Sequence, residues 1–223
     1  MLDEAQDLSA MQYRAVGRRC RGGSITVLGD LAQATTPWAT TDWASALTAL
    51  GHPDAAVRAL TRGYRVPAEV LDLANRLLPH LAAGVAPATS VRRGEGALRI
   101  RPAGPNLVDT VVAEARAALE APGSVAVICA DQAVPDLATA LTRAGLAFTP
   151  VADAEEPTVE RRLSLVPARL AKGLEFDHVV LVEPAEMVAA ESTGLARLYV
   201  ALTRAVSRLV VVHHRRLPAE LLG

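Results

Sequence analysis

Three runs of consecutive apolar residues constrain the fold more than any other feature of the sequence. They lie within the predicted strands at residues 124–129, 178–182 and 209–213, of which only Ser124, His178 and His213 are polar. Strands without polar alternation are buried on both faces, which is typical of a parallel sheet covered by helices. Helical periodicity occurs between these runs and predicts helices at residues 134–144 and 195–208. The sequence therefore predicts an α/β fold with a parallel sheet and helices on both faces.

Weaker patterns complete the predicted set of elements. Further strands are predicted at residues 25–28, 56–60, 98–100, 147–151 and 163–166, and further helices at residues 67–81 and 107–119. Residues 84–96 are rich in Pro, Gly and Arg and predict a loop, and residues 153–157 predict an acidic, solvated loop.

Composition limits the classes of protein to which the chain can belong. With 223 residues, of which 51% are hydrophobic, it can bury a sizeable core as one domain with a remnant or as two small domains. A net charge of −1 gives no global field for nucleic acid, so any such contact depends on local arginines. Cys20 and Cys129 are isolated, which argues against disulfides and zinc. No signal peptide or membrane span is visible, so we expect a cytoplasmic protein without a membrane partner.

Adjacent carboxylates near the first residue indicate nucleotide chemistry. In triphosphate hydrolysis, one such group holds Mg²⁺ and the other aims a water, which fits Asp3 and Glu4. The alternative is a solvated helix start. ATP also requires a G-x-x-x-x-G-K-[ST] loop, but the only lysine, Lys172, lies in L-A-K-G-L. We therefore interpret the chain as the C-terminal part of a larger motor, whose first domain would lie upstream in the same parent chain.

Five short motifs occur in the order that characterises one family. They are D-E-A-Q-D at residues 3–7, G-D-L-A-Q at 29–33, G-Y-R at 63–65, A-K-G-L-E-F-D at 171–177 and L-Y-V-A-L-T-R-A at 198–205. This series resembles motifs II to VI of UvrD/Rep-like helicases. The resemblance implies a RecA-like second motor domain, 2A, at residues 56–223. Residues 1–55 would be the C-terminal remnant of the first motor domain, 1A.

The resemblance also implies a role for each matching residue in the first two motifs. Asp3 would hold Mg²⁺ and Glu4 would orient the attacking water. Gln6 and Gln33 would sense the γ-phosphate of ATP and link hydrolysis to domain movement. For Gln33, a plain surface amide is the alternative.

Residues of the last three motifs would complete the ATP site. Arg65 and Arg204 would neutralise the transferring phosphate when the cleft closes, since a guanidinium fork suits phosphate oxygens. Tyr64 would stack on the adenine. Lys172, Gly173 and Glu175 are also assigned to the nucleotide, with Glu175 accepting from a ribose hydroxyl.

Alternatives remain for two of these side chains. Arg65 could instead pair with Glu69, which lies one helical turn away. Tyr199 fits a core position as well as a functional one.

The sheet should bring distant residues together. Because parallel strands send their carboxyl ends to one side, we expect Arg65, Glu175 and Arg204 to converge at that edge. Asp3 and Asp30 should form a separate cluster on the remnant.

Trp38 is the candidate contact for single-stranded DNA. It lies five residues after Gln33, where members of the family often carry a tryptophan that stacks on a base. Stacking of this kind contributes roughly 1–3 kcal/mol per base. The alternative is simple packing, and Trp43 is assigned to the core.

The sequence departs from the usual pattern of the family in two places. About a hundred residues separate G-Y-R from A-K-G-L-E-F-D, so the large accessory insertion of UvrD-type helicases is absent. The stretch G-D-L-A-Q-A-T-x-x-W at residues 29–38, with Gly63 in place of the usual Asn, resembles the HelD-type, helicase IV-like branch. Members of that branch use ATP to release RNA polymerase from nucleic acid. The alternatives are a processive DNA repair helicase and a non-catalytic module that binds polymerase or nucleic acid.

The isolated chain is expected to show no ATPase activity above background, because Lys172 cannot serve a phosphate loop. Steady-state phosphate release with Mg²⁺ and single-stranded DNA measures this, with Arg204→Ala as the control. Turnover that depends on Arg204 would contradict the interpretation as a fragment.

Overall fold

A six-stranded parallel sheet forms the centre of the molecule. The computed structural model describes residues 1–20, 24–81, 84–151 and 161–222, and the acidic loop predicted at residues 153–157 lies outside them. The strands of this part of the chain are β1 Arg62–Gly63, β2 Thr89–Ser90, β3 Leu98–Pro102, β4 Val125–Cys129, β5 Thr149–Pro150, β6 Leu163–Pro167, β7 Phe176–Val182 and β8 Ala205–His213. The large sheet has the order β3-β8-β7-β4-β6-β5, and β1 and β2 form a separate parallel pair.

Helices cover both faces of this sheet. The α-helices of the described residues are α1 Ala10–Arg19, α2 Trp43–Leu50, α3 Ala68–Asn75, α4 Leu78–Leu81, α5 Leu107–Glu120, α6 Val134–Arg143, α7 Pro184–Ala190, α8 Gly194–Leu202 and α9 Ala219–Leu222. Short 3-10 helices lie at Ala5–Asp7, Leu31–Gln33, Asp131–Ala133 and Ala168–Leu170. None of the helices in the described ranges is long and apolar enough to cross a membrane.

The core has two layers, one on each face of the sheet. Helices α3 and α8 pack on the face that carries Ile128, whereas α5 and α6 pack on the face that carries Val127. Every residue of β4 is buried, as expected for a strand covered on both sides. The prediction of an α/β fold with a doubly covered parallel sheet is confirmed.

Residues 1–55 build a smaller cluster of their own. Ala5, Tyr13, Ala46 and Leu50 form its buried centre, between α1 and α2. The two helices cross so closely that a Cβ added at Gly17 would lie 2.1 Å from the Leu50 carbonyl oxygen. Glycine at this position therefore permits the helix crossing.

Two predicted strands are wrong. Residues 56–60 are exposed and form no strand, and the pairing strand, β1, begins only at Arg62. Residues 25–28 form no regular strand either. Within the described residues, their only β-pairing is the isolated bridge between Leu2 and Val27. The alternating exposure of these residues shows that they lack cover on one side.

Two predicted helices have wrong bounds. The helix predicted at residues 67–81 is broken into α3 and α4, since Pro79 lacks an N–H and its ring would clash with the carbonyl one turn earlier. The helix predicted at residues 195–208 ends at Leu202, because Ala205 already pairs with Phe176 as the start of β8. The predicted loop at residues 84–96 also contains β2.

Cys129 should be inert in the native protein. Burial, followed by the charges of Asp131 and Glu186, raises the pKa of its thiol to about 12, so the reactive thiolate is almost absent at pH 8. Cys20 is only half-buried. Labelling with a thiol reagent at pH 8 should therefore modify one cysteine in the native chain and both after denaturation. Rapid native labelling that persists in Cys20→Ser would show that the end of β4 is open to solvent.

Candidate functional site

The candidate site lies where β7 and β8 begin. Glu175 immediately precedes β7 and Arg204 immediately precedes β8. The backbone N–H of Phe176 donates to the Arg204 carbonyl at 3.0 Å, which fixes the two strand starts side by side. The structure thus brings Glu175 and Arg204 together, but the expected edge is wrong. The motif residues lie before these strands, so the site forms at their amino ends and not at their carboxyl ends.

Arg65 joins this edge through its side chain. Its guanidinium forms an ion pair with Glu175, and both side chains are about half-exposed. The alternative pairing with Glu69 is wrong, because Glu69 accepts from the backbone N–H of Leu98 at 3.0 Å. Arg92 donates to the carbonyls of Arg65 and Val206, at 2.9 and 2.8 Å, and so holds the Arg65 backbone against the start of β8.

The Arg204 guanidinium is buried among neutral acceptors. Only 4% of the residue is exposed. Its nitrogens donate to the carbonyls of Val200 at 2.9 Å and Leu174 at 3.2 Å, and to the Thr203 hydroxyl at 3.1 Å. The fourth partner is Oε1 of Gln33, at 3.3 Å. These bonds satisfy the donors of the cation without neutralising its charge.

Electrostatics at this edge favour an incoming anion. Burial, and then the positive charge of Arg65, lowers the pKa of Arg204, while Glu4 and Asp30 oppose that effect. In the described residues, Arg204 forms no ion pair with either acid, and Glu4 pairs with Lys172. An anion that contacts both guanidinium groups would relieve their repulsion and compensate for the burial of Arg204.

The acidic motif at residues 3–7 has a strained backbone. Glu4 adopts φ 50° and ψ 36°, a left-handed conformation that is uncommon for a residue other than glycine. Strain of this kind tends to occur at functional sites. Asp3 is exposed, and its Oδ1 accepts from the Glu4 N–H at 2.9 Å.

Gln6 is fully buried and connects the first two motifs. Its Nε2 donates to Glu4 Oε2 at 2.6 Å, and its Oε1 accepts from the Asp30 N–H at 3.0 Å. Gln33 Nε2 in turn donates to Asp30 Oδ2 at 2.8 Å. Since Gln33 also contacts Arg204, Asp30 belongs to the site, and the expectation that it lies in a separate cluster is wrong.

Lys172 ties the two parts of the chain together. Its ammonium donates to Asp7 Oδ2 and to the Gln33 carbonyl, the latter at 2.8 Å, and lies 3.2 Å from Glu4 Oε2. Gly173 follows with φ 78°, a left-handed conformation in which other residues are strained. The structure therefore places Lys172 against the acidic motif, with Gly173 forming the adjacent turn.

The exposed aromatic side chains lie near the same motifs. Tyr64 is 70% exposed and Trp38 is 58% exposed, so both present ring faces to solvent. Trp38 Nε1 donates to the Asp7 carbonyl at 3.0 Å, which orients the indole.

Tyr199 is a core residue, and burial followed by the charge of Asp30 raises the pKa of its hydroxyl. Trp43 packs against the small core of residues 1–55, as expected.

Two residues of the site were missed from the sequence. Asp7 closes the D-E-A-Q-D motif. It accepts hydrogen bonds from Lys172 and from residues 34–42, the connection that carries Trp38 and is called the Trp38 loop below. Its place within the motif was the available signal. Arg92 lies in a segment predicted as a loop, and nothing in its spacing indicates the contacts with Arg65 and Val206.

A cavity of about 800 Å³ separates the two parts of the chain elsewhere. Its walls include Leu28 and Trp43 on one side and Val57 and Leu60 on the other. Away from this cavity, the two parts meet through the polar contacts of Lys172, Gln33 and Arg204 and through Ala32, which is buried in the main hydrophobic core.

The family model of the UvrD-like helicase C-terminal domain matches residues 165–212 of this chain. This stretch includes Lys172, Gly173, Glu175 and Arg204. The structure also resembles the C-terminal domain of a possible DNA helicase from Lactobacillus plantarum WCFS1, with a TM-score of 0.55 and 23% identity, over 71% of this chain and 92% of that one. That likeness supports the α/β fold of a helicase C-terminal domain.

More distant likenesses involve the Arterivirus nonstructural protein 10 helicase. Its complex with DNA gives a TM-score of 0.38 and 18% identity over 52% of this chain and 28% of that one. A second structure of the same protein gives 0.38 and 18% over 56% and 30%. This chain thus spans less than a third of those proteins. No curated protein matches the sequence.

The Arg65–Arg204 edge should bind polyphosphate. Inorganic triphosphate at ten times its dissociation constant should stabilise the chain by about 1.4 kcal/mol, a rise in Tm of roughly 3–6 °C over sodium chloride of equal ionic strength. Thermal unfolding followed by circular dichroism measures this.

Arg204→Gln should abolish that rise, because it removes the buried cation while keeping a polar side chain. Arg116→Gln is the matched control, since Arg116 is exposed and donates to the Ala144 carbonyl on another face. An equal rise in wild type and Arg204→Gln would contradict the assignment of the anion site.

Proposed function

We propose that this chain supplies the second motor domain, and part of the first, of an ATP-dependent nucleic-acid translocase or helicase. The observation that carries the proposal is the buried, hydrogen-bonded but unneutralised Arg204 guanidinium beside Arg65. The family match over residues 165–212 supports the same conclusion. In this proposal, residues 1–55 belong to the first motor domain and residues 56–223 form the second.

The two arginines act on the γ-phosphate of ATP. Their guanidinium groups stabilise the charge of the transferring group, which is the main task of a protein in phosphoryl transfer. Gln33 contacts Arg204 and Asp30, so it can report the state of the phosphate to the acidic motif. Tyr64 and Glu175 bind the adenine and the ribose.

Mg²⁺ fits the acidic motif through a single carboxylate. No group of three or more His, Cys, Asp or Glu residues suited to a metal occurs in the described ranges. Mg²⁺ commonly uses one or two carboxylates together with phosphates and waters, and the exposed Asp3 offers such a ligand. The ion would neutralise phosphate charge when bound, while Glu4 orients the attacking water.

The proposed partner is single-stranded DNA, held at Trp38. The indole N–H is bonded to Asp7 while more than half of the residue is exposed, as base stacking requires. Simple packing would bury more of the ring. The proposal includes a cytoplasmic location and no membrane partner.

Within this class we favour a HelD-like remodeller of RNA polymerase. Gly63 and the stretch G-D-L-A-Q-A-T-x-x-W at residues 29–38 support this choice over a processive repair helicase. A non-catalytic binding module is the alternative outside enzymes. Such a module has no need for both arginines together with the strained Glu4.

Arg65→Ala and Arg204→Ala should each reduce kcat for ATP by about 10³-fold or more in a parent protein that contains a phosphate loop. Binding of a non-hydrolysable ATP analogue should weaken far less, because the arginines act mainly on the transition state. Phosphate release and analogue titration give the two quantities.

Arg116→Ala serves as the control for the loss of an exposed arginine. Normal hydrolysis in both active-site variants would show that these arginines are structural. It would also favour the non-catalytic module.

A further inference from the structure

Asp7 is the point at which the Trp38 loop is attached to the rest of the molecule. Its carboxylate Oδ1 accepts from the Thr35 N–H at 3.1 Å. Its carbonyl accepts from Trp38 Nε1 at 3.0 Å and from the Thr36 hydroxyl at 3.4 Å. Three hydrogen bonds from residues 35–38, one of them from the indole itself, therefore converge on Asp7.

The second carboxylate oxygen of Asp7 faces the other part of the chain. Oδ2 accepts from Lys172, whose ammonium also contacts Glu4 and the Gln33 carbonyl. Both side chains of this pair are about four-fifths buried, so solvent screens their attraction less than that of a surface pair. A shift of Lys172 is thereby transmitted to Asp7.

The pair is also the only charge link between Lys172 and the Trp38 loop in the described residues. The Gln33 carbonyl is neutral, and the Glu4 carboxylate accepts from Gln6 and not from a residue of the Trp38 loop. The ion pair should therefore dominate the coupling between the two parts of the chain at this position.

We propose that Asp7 is a positioning residue that transmits the position of Lys172 to the Trp38 indole. The contact between Lys172, in the A-K-G-L-E-F-D motif, and Asp7, in the acidic motif, then controls the position of the Trp38 indole. Its functional consequence, coupling of nucleic-acid stacking to closure of the nucleotide cleft, rests on the proposed function. The link itself rests only on the contacts of Asp7.

Asp7→Asn separates this role from simple loop anchoring. Asparagine keeps an oxygen for Thr35 and the carbonyl for Trp38, but it removes the charge that attracts Lys172. Lys172→Met removes the other half of the pair. Asp72→Asn and Arg143→Met are the controls for the loss of one exposed charge of each sign.

Acrylamide quenching of Trp38 fluorescence reads the link without any ligand. Trp43→Phe leaves Trp38 as the sole tryptophan of the chain. In that background, Asp7→Asn and Lys172→Met should each raise the quenching constant by roughly twofold, and the double variant should show no further rise. The two controls should match the Trp43→Phe parent.

Three results would overturn the proposal. They are an unchanged quenching constant in Lys172→Met, an unchanged constant in Asp7→Asn, or fully additive effects in the double variant. Where Trp43→Phe fails to fold, ¹⁹F NMR of the chain labelled with 5-fluorotryptophan replaces it. Loss of one signal in Trp38→Phe assigns Trp38, whose shift must then respond in the same non-additive way.

Oligo(dT) titration tests the functional consequence separately. If Trp38 stacks on a base, oligo(dT) should quench its fluorescence, and each single variant should weaken that affinity about threefold to tenfold. Absence of quenching in the parent counts against the nucleic-acid role of Trp38. The acrylamide result decides the Asp7 link in either case.

Discussion

The arrangement of the site depends on one buried cation. Moving a guanidinium out of water is costly unless its donors are satisfied, and Arg204 meets that need with backbone carbonyls, a hydroxyl and the Gln33 amide. Because these partners come from α8, from the segment before β7 and from the first part of the chain, burial of Arg204 holds all three together. The partners leave its charge intact, and the guanidinium of Arg65, which is paired with Glu175, lies nearby. A phosphate can therefore bind where a carboxylate would otherwise be expected.

The two parts of the chain meet through the polar contacts of Lys172 and Arg204 and through Ala32, which is buried in the main hydrophobic core. Lys172 contacts Glu4, Asp7 and Gln33, while a cavity of about 800 Å³ opens between the parts at another place. Polar interfaces of limited area permit relative movement of domains. Such movement would exchange protein contacts of Lys172 and Arg204 for contacts with a ligand. This exchange gives a physical basis for coupling a phosphate site to the loop that carries Trp38.

The sequence was most informative where burial alone determines structure. The continuous apolar runs of β4, β7 and β8 leave no alternative to a doubly covered sheet, and the motifs around Glu175 and Arg204 are local in sequence.

Sequence patterns failed where pairing between distant segments determines the secondary structure. Residues 205–208 continue a helical pattern but pair with β7, and residues 56–60 have strand-like composition but no partner strand. The edge of the sheet was also misassigned, since the general rule for carboxyl ends does not apply to residues that precede their strands. The roles of Asp7 and Arg92 arise only from contacts across the fold.

The most direct test of the central claim is a crystal structure of a phosphate-loop-containing parent protein with a non-hydrolysable ATP analogue and Mg²⁺. We expect the terminal phosphate to lie within hydrogen-bonding distance of both Arg65 and Arg204, at the amino ends of β7 and β8. Nucleotide bound at the carboxyl ends of β4 and β6, with both arginines turned away from it, would show that these arginines do not form the phosphate site.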